Sequence, residues 1–191
     1  AIRALGRLLN PAASDPPIQL LASTDYTVRE EAARSLGAMK TRAAIPKMCQ
    51  LLSSGPAASG GEQVGSSTLQ EPCEALLEAL GNIGVNNPEV RSVITPFSDH
   101  PRPLVRSAAC RALLQLMKEQ RWAVELERLL QHPEPLVRRG VLLDLGATGW
   151  IAALPAIEAA TVEASLKLVA LRGLAEQSDE TQVLDAMDRL L

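Results

Sequence analysis

The phrase Val-Arg-Glu-Glu-Ala-Ala-Arg-Ser-Leu-Gly at residues 28–37 decides the fold of this chain, because it returns along the sequence. Clear copies are Val-Arg-Ser-Ala-Ala-Cys-Arg-Ala-Leu-Leu at residues 105–114 and Val-Arg-Arg-Gly-Val-Leu-Leu-Asp-Leu-Gly at residues 137–146. A period of roughly 31 residues is typical of helical hairpins that stack side by side, each burying its apolar face against its neighbours. The period therefore predicts an all-α fold, a right-handed α-solenoid of about six repeats that forms a single domain over residues 1–191.

Each phrase has the spacing of the second helix of a hairpin, with small and apolar residues on one face. The first helices are then predicted at residues 43–52, 88–97, 121–130, 151–160 and 181–190. Pro46 and Pro155 fall in the first turns of their helices, where proline is tolerated, whereas Pro96 is expected to end or kink its helix.

Residues 53–67 interrupt the period and are rich in Gly, Ser and Ala. Nothing in this stretch repeats at helical spacing, so we expect a flexible loop insertion. A functional lid is the alternative reading. The glycines of residues 53–67 do not form a phosphate-binding loop, because no Gly-Lys-Ser/Thr follows them.

Composition and charge exclude several classes of function. The 191 residues carry a formal net charge of −3, which disfavours a nucleic-acid surface rich in Lys and Arg. No apolar run approaches the roughly 20 residues that span a bilayer, and no secretory leader is visible. The three cysteines are widely spaced, which is typical of reduced thiols rather than a disulfide framework, so we expect a cytoplasmic protein.

Asp144 is the most conspicuous carboxylate. By register it takes the position of Ser35, Ala79 and Ala112, where the other copies carry small residues that face the stack. A charge at such a position needs a partner because its burial is costly. The repeat geometry offers three arginines, Arg111, Arg138 and Arg139. The alternatives left open are a structural ion pair and a functional carboxylate.

Other residues that attract attention have structural explanations. The phrase carries Arg29, Arg106, Arg138 or Lys167 at one position per repeat, and such a column commonly braces neighbouring repeats through carboxylates and carbonyl oxygens. Cys73 lies beside Glu74, and a neighbouring carboxylate raises the pKa of a thiol, so a nucleophilic role is disfavoured. The two histidines lie at turns one repeat apart, which argues against a metal site.

The phrases at residues 25–37 and 104–113 resemble the HEAT-like (Armadillo-like) repeats of phycobilisome lyases. The C-terminal stretch, residues 134–175, looks like the shorter F-type subunit of the heterodimeric E/F phycobilin lyases. The resemblance implies an enzyme that attaches a linear tetrapyrrole, usually phycocyanobilin, through a thioether to a cysteine of a phycobiliprotein α subunit. It implies an E-type subunit as partner. The bilin is a substrate, so no cofactor is expected.

The same resemblance implies where a bilin would be held. Asp144 is the expected catalytic residue, contacting the pyrrole nitrogens or orienting an arginine that does so. The propionates or the partner would be met by arginines, with two further residues at the rim: Arg111, Arg138, Arg139, Arg172, Tyr26 and Glu30. A simpler reading of Tyr26 is a solvent-facing side chain that follows the helix cap Asp25.

Two other functions compete with bilin attachment. One is a non-catalytic HEAT scaffold or chaperone that grips a phycobiliprotein without handling pigment. The other is a relative that promotes detachment of bilins, since the same fold would serve both directions.

Overall fold

The computed structural model describes residues 15–56, 71–177 and 181–190, and every regular element in these ranges is helical. The chain divides into two compact units, Ala1–His100 and Pro101–Leu191. The all-α class predicted by the repeated phrase is confirmed, whereas the single domain stays a prediction. None of the described helices is both long and apolar enough to cross a bilayer.

The first unit contains five α-helices within its described residues. The repeated phrase forms α2, and a weaker copy of it at residues 74–81 lies in α4. These two helices pack against each other, and α3 packs on α4 and α5. Fully buried side chains such as Leu36, Leu76 and Phe97 fill the space between them. Burial of each such side chain contributes about 1.5–3 kcal/mol. The bounds are α1 (Asp15–Leu20), α2 (Tyr26–Ala38), α3 (Ile45–Leu52), α4 (Cys73–Ile83) and α5 (Pro88–Ile94).

The second unit contains six α-helices within its described residues. The two clear copies of the phrase form α6 and α8, and a weaker copy at residues 166–171 lies in α10. Helix α8 packs against both α6 and α10. Helix α7 packs on α6 and α8, and α9 and α11 both pack on α10. The bounds are α6 (Pro103–Met117), α7 (Gln120–Leu129), α8 (Pro135–Gly146), α9 (Leu154–Ala159), α10 (Ala164–Ala175) and α11 (Thr181–Asp188).

The glycine that ends the phrase sets how closely neighbouring second helices approach. A Cβ on Gly37 would lie 2.7 Å from the Cα of Ala79, and a Cβ on Gly146 would lie 2.6 Å from the Cα of Ala170. Both obstacles are backbone atoms, which cannot move aside as a side chain can. The two glycines stand at the same position of the phrase, so the close approach follows directly from the repeat.

The first helices lie where the sequence places them, and prolines shape their beginnings. Pro46 and Pro155 stand in the first turns of α3 and α9, as predicted. Each of these helices follows a 3-10 turn, Arg42–Ala44 or Ile151–Ala153. Pro96 lies beyond the end of α5 in the 3-10 helix Thr95–Asp99, which confirms that it ends the α-helix.

The predicted loop insertion lies almost wholly outside the described residues. Of residues 53–67, only 53–56 are described, and they form a tight turn after α3. Gly55 has a φ of 60° there, a left-handed conformation that glycine adopts without strain. The flexible loop therefore stays a prediction.

Candidate functional site

Asp144 is buried between α6 and α8, in the second unit. The Ser107 hydroxyl donates a 2.6 Å hydrogen bond to its Oδ2, and Arg111 Nη1 donates to its Oδ1 at 3.1 Å. Ser107 and Arg111 stand four residues apart on α6, so both face α8 at the level of the carboxylate. The predicted burial and the predicted Arg111 partner are confirmed, whereas Ser107 was not among the expected partners.

The pKa of Asp144 reflects opposing effects of burial and of its two partners. Burial raises its pKa above the ordinary value of 3.8, and the charge of Arg111 and the hydrogen bonds from Ser107 and Arg111 offset only part of that effect. The cluster formed by Ser107, Arg111 and Asp144 therefore joins two second helices through a carboxylate that is costly to keep ionised.

This environment leads to a pH-dependent prediction. A carboxyl group whose pKa is raised on folding stabilises the fold fully below pH 3.8, and that contribution is lost as the pH rises through the folded pKa. Asp144→Asn cannot ionise and lacks this loss. The unfolding free energy of the wild type minus that of Asp144→Asn should therefore fall as the pH rises, measured by urea denaturation between pH 4 and 7. A difference that grows with pH would mean that Arg111 lowers the pKa of Asp144 more than burial raises it.

Arg138 does not pair with Asp144, and that part of the expectation is wrong. Its Nη1 donates to the carbonyl oxygens of His132 and Pro133, each at 2.8 Å, and its Nε donates to the carbonyl oxygen of Thr161 at 3.2 Å. Arg29 likewise donates to the carbonyl oxygen of Ser23 at 2.8 Å. Both guanidinium groups also fold back on the turn before their own helix. The predicted bracing between neighbouring repeats is confirmed for Arg138 by its contact with Thr161 and for Arg29 by an ion pair with Glu71 at 3.3 Å.

Arg139 does not reach Asp144 either. It forms a two-pronged pair with Glu163, whose Oε2 accepts from Arg139 Nε at 3.0 Å and whose Oε1 accepts from Nη2. Arg139 points outward from α8 because it lies five residues before Asp144, about half a helical turn away from its face. Sequence reasoning missed Glu163, which immediately precedes α10.

Arg138, Arg139 and Glu163 line one cleft. The cleft has a volume of about 350 Å³, is open to solvent and lies at the N-terminal ends of α8 and α10. Its lining residues are Pro135, Arg138, Arg139, Thr161, Val162 and Glu163. Two guanidinium groups and one carboxylate give this surface the character of an anion-binding site.

The remaining predicted arginine, Arg172, is exposed on α10. Its Nε donates to Glu176 Oε1 at 2.8 Å, one helical turn further along. It belongs neither to the Asp144 cluster nor to the lining of the cleft. Of the four predicted arginines, the structure brings only Arg111 to Asp144.

Tyr26 and Glu30 lie in the first unit, at the start of α2. Asp25 caps this helix as predicted, accepting from the backbone N–H of Thr27 at 2.8 Å. Tyr26 is half-buried rather than solvent-facing, and the guanidinium of Arg29 lies 5.9 Å from the centre of its ring. Burial, then the charge of Glu30, raises the pKa of Tyr26, so the phenol remains a hydrogen-bond donor at neutral pH. Glu30 itself pairs with Arg34 at 2.7 Å.

The three thiols are buried and poorly suited to nucleophilic chemistry. Burial, with smaller contributions from Glu71 and Glu74, raises the pKa of Cys73 to about 12. Burial also raises the pKa of Cys49, and Cys110 is completely enclosed. This environment agrees with the prediction that Cys73 is a poor nucleophile, since only a thiolate attacks effectively. Among the described residues, no group of His, Cys, Asp and Glu side chains is placed to hold a metal ion.

Comparison with known proteins identifies the fold family. The HEAT repeats family matches residues 1–59 and 99–175. The structure of the complex of CpcE and CpcF of phycocyanin lyase from Nostoc sp. PCC7120 contains a chain that is 40% identical, with a TM-score of 0.89. That match covers 100% of this chain and 72% of the other. The predicted α-solenoid of HEAT-like repeats is therefore confirmed.

Curated relatives identify the subunit type. The bilin biosynthesis protein RpcE of Synechococcus sp. (strain WH8020) is 60% identical over 191 residues, which cover 100% of this chain and 72% of that protein. The phycocyanobilin lyase subunit alpha of Picosynechococcus sp. (strain ATCC 27264 / PCC 7002 / PR-6) is 43% identical, and the match covers 100% of this chain and 74% of the relative.

These relatives overturn the predicted F-type subunit and, with it, the predicted E-type partner. The relatives are alpha subunits, of the E type. The prediction failed because it relied on phrases in residues 134–175 that belong to the HEAT repeat itself, and on chain length. The predicted enzyme class is confirmed. The chain belongs to the HEAT-repeat phycocyanobilin lyases, and within them to the alpha subunits.

Proposed function

We propose that this chain pairs with an F-type (beta) subunit, and that the pair attaches a linear tetrapyrrole to a cysteine of a phycobiliprotein α subunit. The observation that carries the proposal is the 43% identity to a phycocyanobilin lyase subunit alpha over the whole of this chain. The bilin is the substrate in this proposal, and no further cofactor takes part.

The reaction is the addition of a thiol to a carbon–carbon double bond at ring A of the bilin. The sulfur of the acceptor cysteine bonds to one carbon, the thiol proton is transferred to the bilin, and no group leaves. The proteins hold the extended pigment and the acceptor thiol in a reactive arrangement, which is the main way such a site accelerates an addition. Control of protonation of the thiol and the bilin supplies the remaining acceleration.

Within this proposal Asp144 acts as a positioning residue. Its carboxylate is buried and already accepts from Ser107 and Arg111, which favours an indirect role over direct contact with the pyrrole N–H groups. Asp144 fixes the guanidinium of Arg111, and a fixed guanidinium recognises a propionate more precisely than a mobile one. Arg139 and Arg172 are exposed, so a large ligand or a partner can contact them.

The acceptor thiol belongs to the phycobiliprotein, because the cysteines of this chain are buried. The triple variant Cys49→Ala, Cys73→Ala and Cys110→Ala should therefore retain bilin transfer within about twofold of the wild type. Each replacement removes only a small buried sulfur, so a modest loss of stability is expected, about 1 kcal/mol per site. Rates are compared at a temperature where both proteins are folded. Loss of transfer by the folded triple variant would show that a resident thiol carries the bilin.

Coexpression tests the proposed function. This chain, an F-type subunit, a phycocyanobilin source and an apo-phycocyanin α subunit are produced together, and covalent pigment is read on a denaturing gel. Pigment should appear only when both lyase subunits are present. Bound but non-covalent pigment would indicate a scaffold, and loss of pigment from preloaded phycocyanin would indicate detachment; either result contradicts the proposal.

A further inference from the structure

The cleft between the first turns of α8 and α10 has the dimensions of a ligand subsite. Its volume of about 350 Å³ lies near the lower end of the ~300–1,000 Å³ typical of ligand pockets. Because it is open on one side, it suits one end of an extended ligand whose remainder lies outside it. Pro135 and Val162 supply apolar lining, and two arginines supply charge.

The lining carries more positive than negative charge. Arg138 is held by three neutral carbonyl oxygens, so these contacts fix its position without neutralising it. The hydrogen bond from Arg139 lowers the pKa of Glu163 to about 2, with a smaller contribution from the charge of Arg138. Glu163 is therefore ionised at neutral pH and balances only one of the two guanidinium groups.

The pair between Arg139 and Glu163 shows how a ligand carboxylate would be held. Two parallel N–H donors of Arg139 meet the two oxygens of Glu163, the arrangement by which guanidinium groups recognise carboxylates in general. Both side chains are about half exposed. Because water screens such pairs strongly, this one can open at little cost.

We propose that Glu163 is a built-in competitor, whose carboxylate covers Arg139 until a carboxylate of the ligand displaces it. This rests on the proposed function, which makes the ligand carboxylate a propionate of the bilin. Arg138 then attracts the arriving anion, and Arg139 exchanges the carboxylate of Glu163 for that of the propionate. Glu163 thereby limits the affinity of the cleft for carboxylates that bind weakly.

Bilin titration of the complex with the F-type subunit tests the exchange. Glu163→Gln should lower the Kd for phycocyanobilin by about 2- to 5-fold, the range expected when one exposed ion pair no longer competes. Arg139→Gln should raise the Kd. Adding Glu163→Gln to this variant should not change the Kd further, because Arg139, for which Glu163 and the ligand compete, is then absent. Binding is followed by the absorbance of the pigment.

Glu119→Gln is the matched control. Glu119 also immediately precedes a helix of the second unit, and it forms an exposed ion pair with Arg121 at 2.6 Å. Neither residue lines the cleft. Its replacement should leave the Kd unchanged. An unchanged or raised Kd for Glu163→Gln would overturn the proposed exchange, and so would an equal decrease of the Kd in Glu119→Gln. In either case, transfer of bilin by the wild-type complex would still support the proposed function. A wild-type complex that neither binds nor transfers bilin overturns the proposed function itself.

Discussion

An Asp144→Asn variant, paired with its F-type subunit, is expected to lose about 10- to 100-fold in the rate of bilin transfer while remaining folded. The amide fills the same volume and still offers one oxygen to Ser107 or Arg111. It cannot hold the Arg111 guanidinium by charge, so the arginine loses its fixed position. Turnover of covalent pigment measures the effect, and the helical signal in circular dichroism reports the fold.

Two further variants separate this role from a general loss of charge. Asp185→Asn, at an exposed position on α11, should leave the rate unchanged. Arg111→Lys should slow transfer to an extent similar to Asp144→Asn, because a lysine lacks the planar fork of donors. The double variant should be no slower than either single variant, since the two residues act as one unit. Unchanged turnover in Asp144→Asn would refute the role.

Gly146→Ala is expected to lower the free energy of unfolding of the second unit by about 2–3 kcal/mol. The added methyl group would lie 2.5 Å from the carbonyl oxygen of Ala170 and 2.6 Å from its Cα, so α8 and α10 would have to separate. Their separation would weaken packing along the whole interface between the two helices. Urea denaturation followed by circular dichroism measures the loss.

Gly140→Ala, on the same helix, is the matched control. A Cβ there would meet only the end of the Leu104 side chain, at 2.6 Å, and a leucine can rotate away. The gain in helix propensity on replacing glycine, up to ~1 kcal/mol, offsets that adjustment. Gly140→Ala should therefore be about as stable as the wild type. Equal stability of the two variants would show that α8 and α10 separate without cost.

Much of the fold is predictable from the sequence because the repeated phrase acts locally. The positions of the second helices follow from the spacing of Val28, Val105 and Val137. Prolines mark the beginnings of three of the first helices, α3, α5 and α9. Even the burial of Asp144 follows from register, because the equivalent residues Ser35, Ala79 and Ala112 are buried as well.

The pairing of polar side chains was harder to predict. Arg111, Arg138 and Arg139 all stand near Asp144 in the repeat, yet helix rotation and side-chain reach direct only Arg111 to it. Ser107 was missed because in other copies its position carries Glu30 or Arg139, which gives no sign of a buried hydroxyl. A useful signal was its spacing of four residues from Arg111, which puts both on one face of α6.

The subunit type could not be obtained from the phrases at all. HEAT repeats are built around buried Ala, Leu and Val and a bracing arginine, and these residues serve packing within the repeat. They carry little information about which partner a subunit meets. That information resides in exposed residues, whose meaning emerges only through comparison with relatives.

The choice of partner in the reconstituted transfer reaction tests the subunit type of this chain. This chain is combined separately with the F-type subunit and with the E-type subunit of one phycocyanin lyase, each with phycocyanobilin and apo-phycocyanin α subunit. Covalent pigment should form with the F-type subunit and not with the E-type subunit. If covalent pigment formed with the E-type subunit but not with the F-type subunit, the assignment of this chain as an alpha subunit would be contradicted.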